Sequence, residues 1–91
     1  MEMIGVAQRD GCEPVEAYVH GPLAIHQKDC WAVTHRRTGM RVGSYRTLRE
    51  AQACVKAIRG LNWEWGSAGD ASGMPRDFSG QVNEVRPKNT W

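Results

Sequence analysis

Three histidines and a cysteine lie close together in the chain and are the first candidates for chemistry. His20, His26, Cys30 and His35 fall within sixteen residues. Imidazole and thiolate groups bind zinc, but familiar zinc sites have paired spacings that these residues lack. A cysteine and a histidine can act as nucleophile and base, yet the pattern supplies no third group to orient the base and no oxyanion hole. The glycines form neither GxGxxG nor GxxxxGK[ST]. We therefore expect no metal, no cofactor and no enzymatic activity.

A group of arginines suggests binding rather than catalysis. The segment 33-VTHRRTGMRVGSY-45 places Arg36, Arg37 and Arg41 around a Thr-Gly turn. Residues 23–60 carry eight Lys or Arg and two Asp or Glu, whereas residues 1–22 carry one Arg and four acidic residues. A positive centre attracts phosphate or an acidic protein face, and charge alone does not choose between them. An ordinary solvated surface is the alternative.

The elements that position these arginines are three predicted strands and a helix. Residues 23–28, 30–36 and 40–45 alternate apolar and polar side chains with the period of a strand, and Gly39 suits the tight turn before the third. Thr47 and Glu50 then form a capping box, and an apolar stripe follows at helical spacing over 48–59. We predict an α+β fold: a small three- to four-stranded antiparallel sheet packed on one α-helix, with a βββα core over residues 23–65.

Strand parity predicts which side chains face the helix. Leu23, Ile25, Trp31, Val33 and Val42 are expected to contact it. The reverse face is expected to stay open and to show small and basic residues, with His26 and His35 on opposite faces. Together with two tryptophans past the helix, this face supplies the predicted partner-binding residues: Arg36, Arg37, Arg41, Tyr45, Arg46, Trp63 and Trp65. For one of the two tryptophans, burial at the end of the core is the favoured alternative.

The flanking segments carry weaker patterns. Residues 1–22 contain alternating stretches that fit an extra strand. Residues 66–91 begin with the Gly- and Ser-rich run GSAGDASGMPRDFSG, which predicts a flexible tail, and Gln81 to Arg86 fits an edge strand.

Composition restricts the location and the kind of protein. Ninety-one residues suit one small domain. No apolar run approaches the ~18 residues of a membrane span, and the N-terminal segment lacks the features of a signal peptide. The three cysteines are odd in number and widely spaced, which favours reduced thiols. We expect a cytoplasmic protein without a membrane partner; its oligomeric state is open.

The run W-A-V-T-H, continued by R-V-G-S-Y-R-T-L-R-E-A-Q-A, resembles the three-stranded sheet and helix of the ethylene-response-factor DNA-binding domain and of the arm-binding domain of phage tyrosine integrases. The resemblance covers residues 23 to 60. It implies a sheet that enters the major groove of DNA, with Arg36, Arg41 and Tyr45 facing the groove and Arg37 and Arg46 facing phosphates. The first strand is poorer in basic residues than that pattern requires.

The chain is also similar in size and organisation to small accessory proteins of bacteriophages, on the motif W-x-V-T-H-x-x-T-G, the E-A helix and the trailing Trp. Many such proteins block host defence by stoichiometric binding, anti-CRISPR proteins among them. The resemblance implies a non-enzymatic inhibitor of a host protein complex, for example a CRISPR effector, in the host cytoplasm. DNA binding through the sheet is the alternative. We prefer protein binding, because no dimerising or effector domain is expected beside the small core.

Overall fold

The computed structural model describes residues 2–8 and 11–91 and shows a five-stranded antiparallel meander with two helices. The fold is α+β, as predicted, but the predicted three to four strands and single helix are too few. The strands follow one another in the sheet in chain order: β1 (Glu2–Gln8), β2 (Gly11–His20), β3 (Leu23–Gln27), β4 (Trp31–His35) and β5 (Arg41–Tyr45). The helices are α1 (Leu48–Ile58) and α2 (Phe78–Val85). None of the helices described is both long and apolar enough to cross a membrane.

Helix α1 covers one face of the sheet and forms the main core. The Thr47 hydroxyl accepts a hydrogen bond from the Glu50 N–H at 3.2 Å and donates to the Glu50 carboxylate at 2.9 Å, which caps the first turn. The stripe predicted from the sequence is buried and packs on β3, β4 and β5: Ala51, Cys54, Val55 and Ile58. Leu23, Ile25 and Val33 meet it from the sheet, with Trp31 and Val42 at its margin, so these predictions are confirmed.

Tyr45 lies in this core and not on the reverse face where it was predicted. Val33 pairs with Gly43 and Trp31 pairs with Tyr45, but Thr34 pairs with Arg41, so a bulge in β5 adds one residue. The extra residue inverts the parity of the end of the strand. The Tyr45 ring turns toward the helix, is fully buried and lies over Gly43, where an added Cβ would be 2.8 Å from it.

The reverse face, predicted to be open, is covered by the hairpin of β1 and β2. Strand β2 is a corner strand, since its residues up to Ala17 pair with β1 and only its last three, from Tyr18, pair with β3. The hairpin places Ile4, Val6 and Ala17 on Ala24 in a second small core. The other reverse-face residues Ala32, Thr34 and His26 are also buried.

The first strand reaches the turn between β4 and β5 and almost closes the sheet. The Ala7 N–H donates to the Gly39 carbonyl at 2.8 Å. Gly39 has a φ of 76°, and a Cβ at this position would lie 2.6 Å from the Gly5 carbonyl oxygen. Only glycine fits this close approach of two backbones.

The segment after α1 is folded onto the core, contrary to the prediction of a flexible tail. The Gly69 N–H donates to the Thr38 carbonyl at 2.8 Å, and Ser67 forms a bridge with Asp70. The predicted edge strand over 81–86 is instead part of α2, because Phe78 and Val82 stand one helical turn apart and both enter the main core.

The C-terminal residues lie along the outer edge of β5. The Thr90 N–H donates to the Ser44 carbonyl at 3.1 Å, and the Asn89 side chain accepts from the Ser44 N–H at 3.0 Å. The Tyr45 hydroxyl donates to the Pro87 carbonyl at 2.8 Å. Residues 87–90 therefore cover a strand edge that is otherwise free to pair with another chain.

Candidate functional site: an arginine cleft and its histidine wall

A surface cavity lies where β1 and the end of β4 separate, and we call it the arginine cleft. Its volume is about 500 Å³. At one end of the cleft, the hydrogen bond from the Ala7 N–H to the Gly39 carbonyl joins β1 to the turn between β4 and β5. Its lining combines the edge of β1, the β4 turn and the residues after α1: Met3, Ile4, Gly5, Pro22, His35, Arg36, Arg37, Trp63 and Glu64.

Arg36 is fixed on one side of the cleft by contacts with the strands beside it. Its backbone N–H donates to the Pro22 carbonyl at 3.0 Å, and its Nη1 donates to the Gly21 carbonyl at 2.8 Å. Its Nη2 lies 3.6 Å from the Glu2 carboxylate, with the two side chains 40% and 64% exposed. An ion pair this open contributes little to stability. Arg36 therefore mainly fastens the β2–β3 turn to the end of β4.

Arg37 is held by one nitrogen and presents the rest of its guanidinium. The Nε donates to the Gly66 carbonyl at 2.9 Å. Among the residues that the structure describes, no carboxylate lies within 4.0 Å of Arg37; the ion pair found there joins Arg36 to Glu2. The two terminal nitrogens keep the planar fork that matches a carboxylate or phosphate. Arg37 is thus a positioned cation available to a partner.

His35 forms the inner wall of the arginine cleft, with both ring nitrogens engaged. The Trp63 carbonyl, 2.8 Å from Nε2, can only accept, so Nε2 carries the proton. Nδ1 then accepts from the Thr38 hydroxyl at 2.9 Å, and that hydroxyl accepts from the Met40 N–H at 3.2 Å. Burial lowers the pKa of His35 and the Arg37 charge lowers it further, against the Trp63 carbonyl, which raises it. The ring is a neutral structural element.

An apolar cavity of about 360 Å³ lies on the other side of His35 and Trp63. It is bounded by the loop before α2, by α2 itself and by β5, with Trp65, Met74 and Phe78 in its wall. The ring centroids of Trp63 and Phe78 are 4.8 Å apart and nearly perpendicular, a favourable aromatic geometry. The indole N–H groups of Trp63 and Trp65 donate to the carbonyls of Ile58 and Asn62. These aromatic groups are satisfied within the fold.

The predicted site residues do not form one surface. Arg36, Arg37 and Trp63 line the arginine cleft, with Trp63 buried in its floor. Arg41 is exposed and lines the apolar cavity together with Trp63 and Trp65. Both tryptophans are buried, whereas burial was the favoured alternative for only one of them. Tyr45 is in the core, and the Arg46 backbone N–H donates to the Thr90 hydroxyl. The predicted arginine-bearing sheet face therefore does not exist as a continuous exposed surface.

The residues that suggested chemistry are dispersed. Within residues 2–8 and 11–91, no group of three or more His, Cys, Asp or Glu is arranged to hold a metal ion. His26 is buried and its Nε2 lies 3.1 Å from the Thr34 hydroxyl, on the opposite face from His35. Burial raises the pKa of the Cys54 thiol, which weakens it as a nucleophile.

Of the nine residues that line the arginine cleft, the predicted site contained three: Arg36, Arg37 and Trp63. Met3, Pro22 and Glu64 come from three separate segments. Met3 is 61% exposed at the edge of the sheet, which is unusual for a large apolar side chain in a strand. The extra strand predicted within residues 1–22 is present as β1, but no local pattern shows that this strand reaches the β4–β5 turn.

Comparison with known protein families, with curated proteins and with solved structures finds no match to this chain.

Proposed function

We propose that this chain is a non-enzymatic binding protein that inhibits a larger protein complex stoichiometrically, and that it docks an acidic segment of that complex in the arginine cleft. The observation that carries the proposal is the Arg37 guanidinium, which among the described residues is hydrogen-bonded through Nε alone and lines the same cleft as the exposed Met3. A cation next to an apolar side chain fits a protein segment that presents a carboxylate and an apolar residue. The resemblance to phage accessory proteins points to a host defence complex as the partner.

The strand edge beside the cleft supports an extended conformation for the bound segment. On the cleft side, the Ala7 N–H ties β1 to the β4–β5 turn, and the cleft runs along β1 from Gly5 to Met3. A partner segment entering there meets an edge-strand backbone on one wall and two arginines on the other. Main-chain pairing supplies affinity in this mode, and the side-chain contacts supply specificity. The engagement of His35, His26 and Cys54 within the fold supports a binding role over a catalytic one.

Charge reversal at Arg37 tests the proposal, with reversal at Arg49 as the matched control. Both side chains are exposed arginines, but Arg49 lies on α1, away from the cleft. Wild type, Arg37→Glu and Arg49→Glu are used to capture proteins from nuclease-treated bacterial lysate, with quantification of the subunits bound. We expect the same subunits in fixed proportion with wild type and Arg49→Glu, and a loss of at least tenfold with Arg37→Glu. Equal capture by all three variants contradicts the proposal.

Nucleic acid is the second candidate partner, and the outer face of α1 favours it. Arg49, Lys56 and Arg59 are exposed there, and the only acidic residue of the helix is Glu50 in its cap. The reverse face of the sheet is not available to enter the major groove of DNA, because the β1–β2 hairpin covers it and Tyr45 is buried. Binding of a short duplex through these three cations predicts a slope of roughly −3 in log affinity against log salt, and Arg49→Glu reduces its magnitude by about 1. Arg49→Glu thus affects DNA binding while leaving protein capture unchanged.

A further inference from the structure

A second cleft, of about 450 Å³, opens on the opposite side of β2, where that strand separates from β3. The two strands pair only up to Tyr18 and Ile25. Beyond this pair, β2 continues along β1 while β3 continues along β4, so the sheet splits. Helix α1 packs on β3, β4 and β5. The split therefore leaves an open recess whose floor includes the buried Ile25.

The register places two aromatic rings and a carboxylate around this recess. Tyr18 shares a sheet face with Ile25, its pairing partner, and Glu16 shares it as well because it is two residues away on β2. Trp31 pairs with Gln27, which stands two residues after Ile25, so it also points to this face. Tyr18 is 43% exposed and Trp31 is half-buried. The walls are thus aromatic on both sides, with an acidic group at the β2 rim.

The charged side chain in the lining of this cleft is the Glu16 carboxylate, whereas two arginines line the arginine cleft. No Lys or Arg among the described residues lies within 4.0 Å of the Glu16 carboxylate. Burial lowers the pKa of His26, which lines the cleft, and the charges of Arg41 and Lys28 lower it further, against the Glu13 carboxylate, which raises it. A neutral His26 wall does not repel a cation. The faces of tyrosine and tryptophan rings attract cations, and an apolar floor accommodates an alkyl chain.

We propose that this aromatic-acidic cleft binds a lysine side chain presented by a protein partner, with the alkyl stem between the rings of Tyr18 and Trp31 and the ammonium group beside Glu16. This site is separate from the arginine cleft and does not depend on it. The partner recognised here carries an exposed lysine, whereas the arginine cleft selects a carboxylate. The ligand class is therefore an alkylammonium ion.

Three short acetylated and amidated peptides test this site on the full chain. One contains lysine, one contains trimethyl-lysine, and one contains a neutral isostere in which carbon replaces the ammonium nitrogen. Binding is followed through the amide and indole NMR signals of the protein. We expect saturable shifts at Tyr18, Glu16 and the Trp31 indole with both cationic peptides, and roughly tenfold weaker binding of the isostere.

Substitutions measure how much Tyr18 and Glu16 each contribute to peptide binding. Tyr18→Leu is expected to weaken the cationic peptides by roughly tenfold and Glu16→Gln by about threefold, while Glu84→Gln, an exposed acidic residue on α2, has no effect. Arg37→Glu is expected to leave peptide binding unchanged, so the result of the peptide test does not depend on whether the arginine cleft binds the proposed partner. Equal binding of the isostere, shifts at other residues, or no saturable shift overturns the proposal. Choline is titrated in parallel, and tighter binding of choline than of the lysine peptides overturns the assignment to a protein side chain.

Discussion

Replacing Gly39 by alanine tests the contact that closes the sheet and shapes the arginine cleft. An alanine there has two costs. Gly39 has a φ of 76°, which disfavours any residue with a Cβ by about 1 kcal/mol. The Cβ would also lie 2.6 Å from the Gly5 carbonyl oxygen and 2.8 Å from the Ala7 nitrogen. Because these are backbone atoms, β1 itself has to move away from the turn.

Gly21 provides a matched control for the conformational cost alone. Its φ is 61°, but an added Cβ meets no atom within 4 Å. Gly21→Ala is therefore expected to lower the free energy of unfolding by about 1 kcal/mol. In Gly39→Ala, the lost hydrogen bond from Ala7 adds about 1 kcal/mol and the steric displacement about 1 to 3 kcal/mol. The expected total is roughly 3 to 5 kcal/mol, a large part of the ~5 to 10 kcal/mol typical of a domain this small.

Urea unfolding at neutral pH, followed by tryptophan fluorescence, measures both variants against the wild type. Hydrogen exchange at the Ala7 amide provides a second readout, since this N–H loses its acceptor when β1 detaches. Exchange there is expected to accelerate in Gly39→Ala more than exchange in α1. Equal destabilisation by Gly39→Ala and Gly21→Ala, with unchanged exchange at Ala7, refutes the placement of β1 across the β4–β5 turn and with it the shape of the arginine cleft.

The remaining predictions concern pH, the helix cap and two further glycines. Burial lowers the pKa of His35 and of His26 below the unfolded value of about 6.5. As the pH drops below 6.5, the unfolded chain therefore binds protons before the folded chain does, and the free energy of unfolding decreases; above 6.5 this loss is absent. Urea unfolding measured at several pH values below about 6.5 is expected to show this decrease, and a smaller decrease in His35→Gln. A free energy of unfolding that does not change with pH contradicts the assignment of His35 as a neutral ring. Thr47→Ala is expected to cost about 1 kcal/mol, whereas Thr47→Ser keeps the cap; equal losses in thermal melts argue against it. Gly43→Ala forces a Cβ against the Tyr45 ring and is expected to lower the free energy of unfolding by about 1 to 3 kcal/mol. Gly80 lies in α2 with open space around it, so Gly80→Ala is expected to raise the free energy of unfolding by up to ~1 kcal/mol. Changes of the same sign in both variants are inconsistent with the structure.

Part of the candidate site was predictable from the chain. The turn that presents Arg36 and Arg37 is identified by the strand alternation before it and by Gly39 within it, which are patterns of neighbouring residues. Trp63 was also selected, although as an exposed anchor; its burial depends on Phe78, fifteen residues further along, which packs against it. Met3 and Glu64 reach the same cleft from β1 and from the segment after α1, which are far apart in the chain, and no local pattern links them.

The features that could be read from the chain alone are local: the capped helix, predicted over 48–59 and found over 48–58, the strands over 23–45 with their helix-facing residues, and the positive charge around the β4–β5 turn. These follow from hydrogen bonds and side-chain spacings within a few residues. Only the tertiary structure decided the bulge that turns Tyr45 inward, the hairpin that covers the reverse face and the packing of residues 66–91. Each of these depends on contacts between segments distant in the chain, where burying apolar surface outweighs the local preferences of Gly- and Ser-rich or weakly alternating stretches.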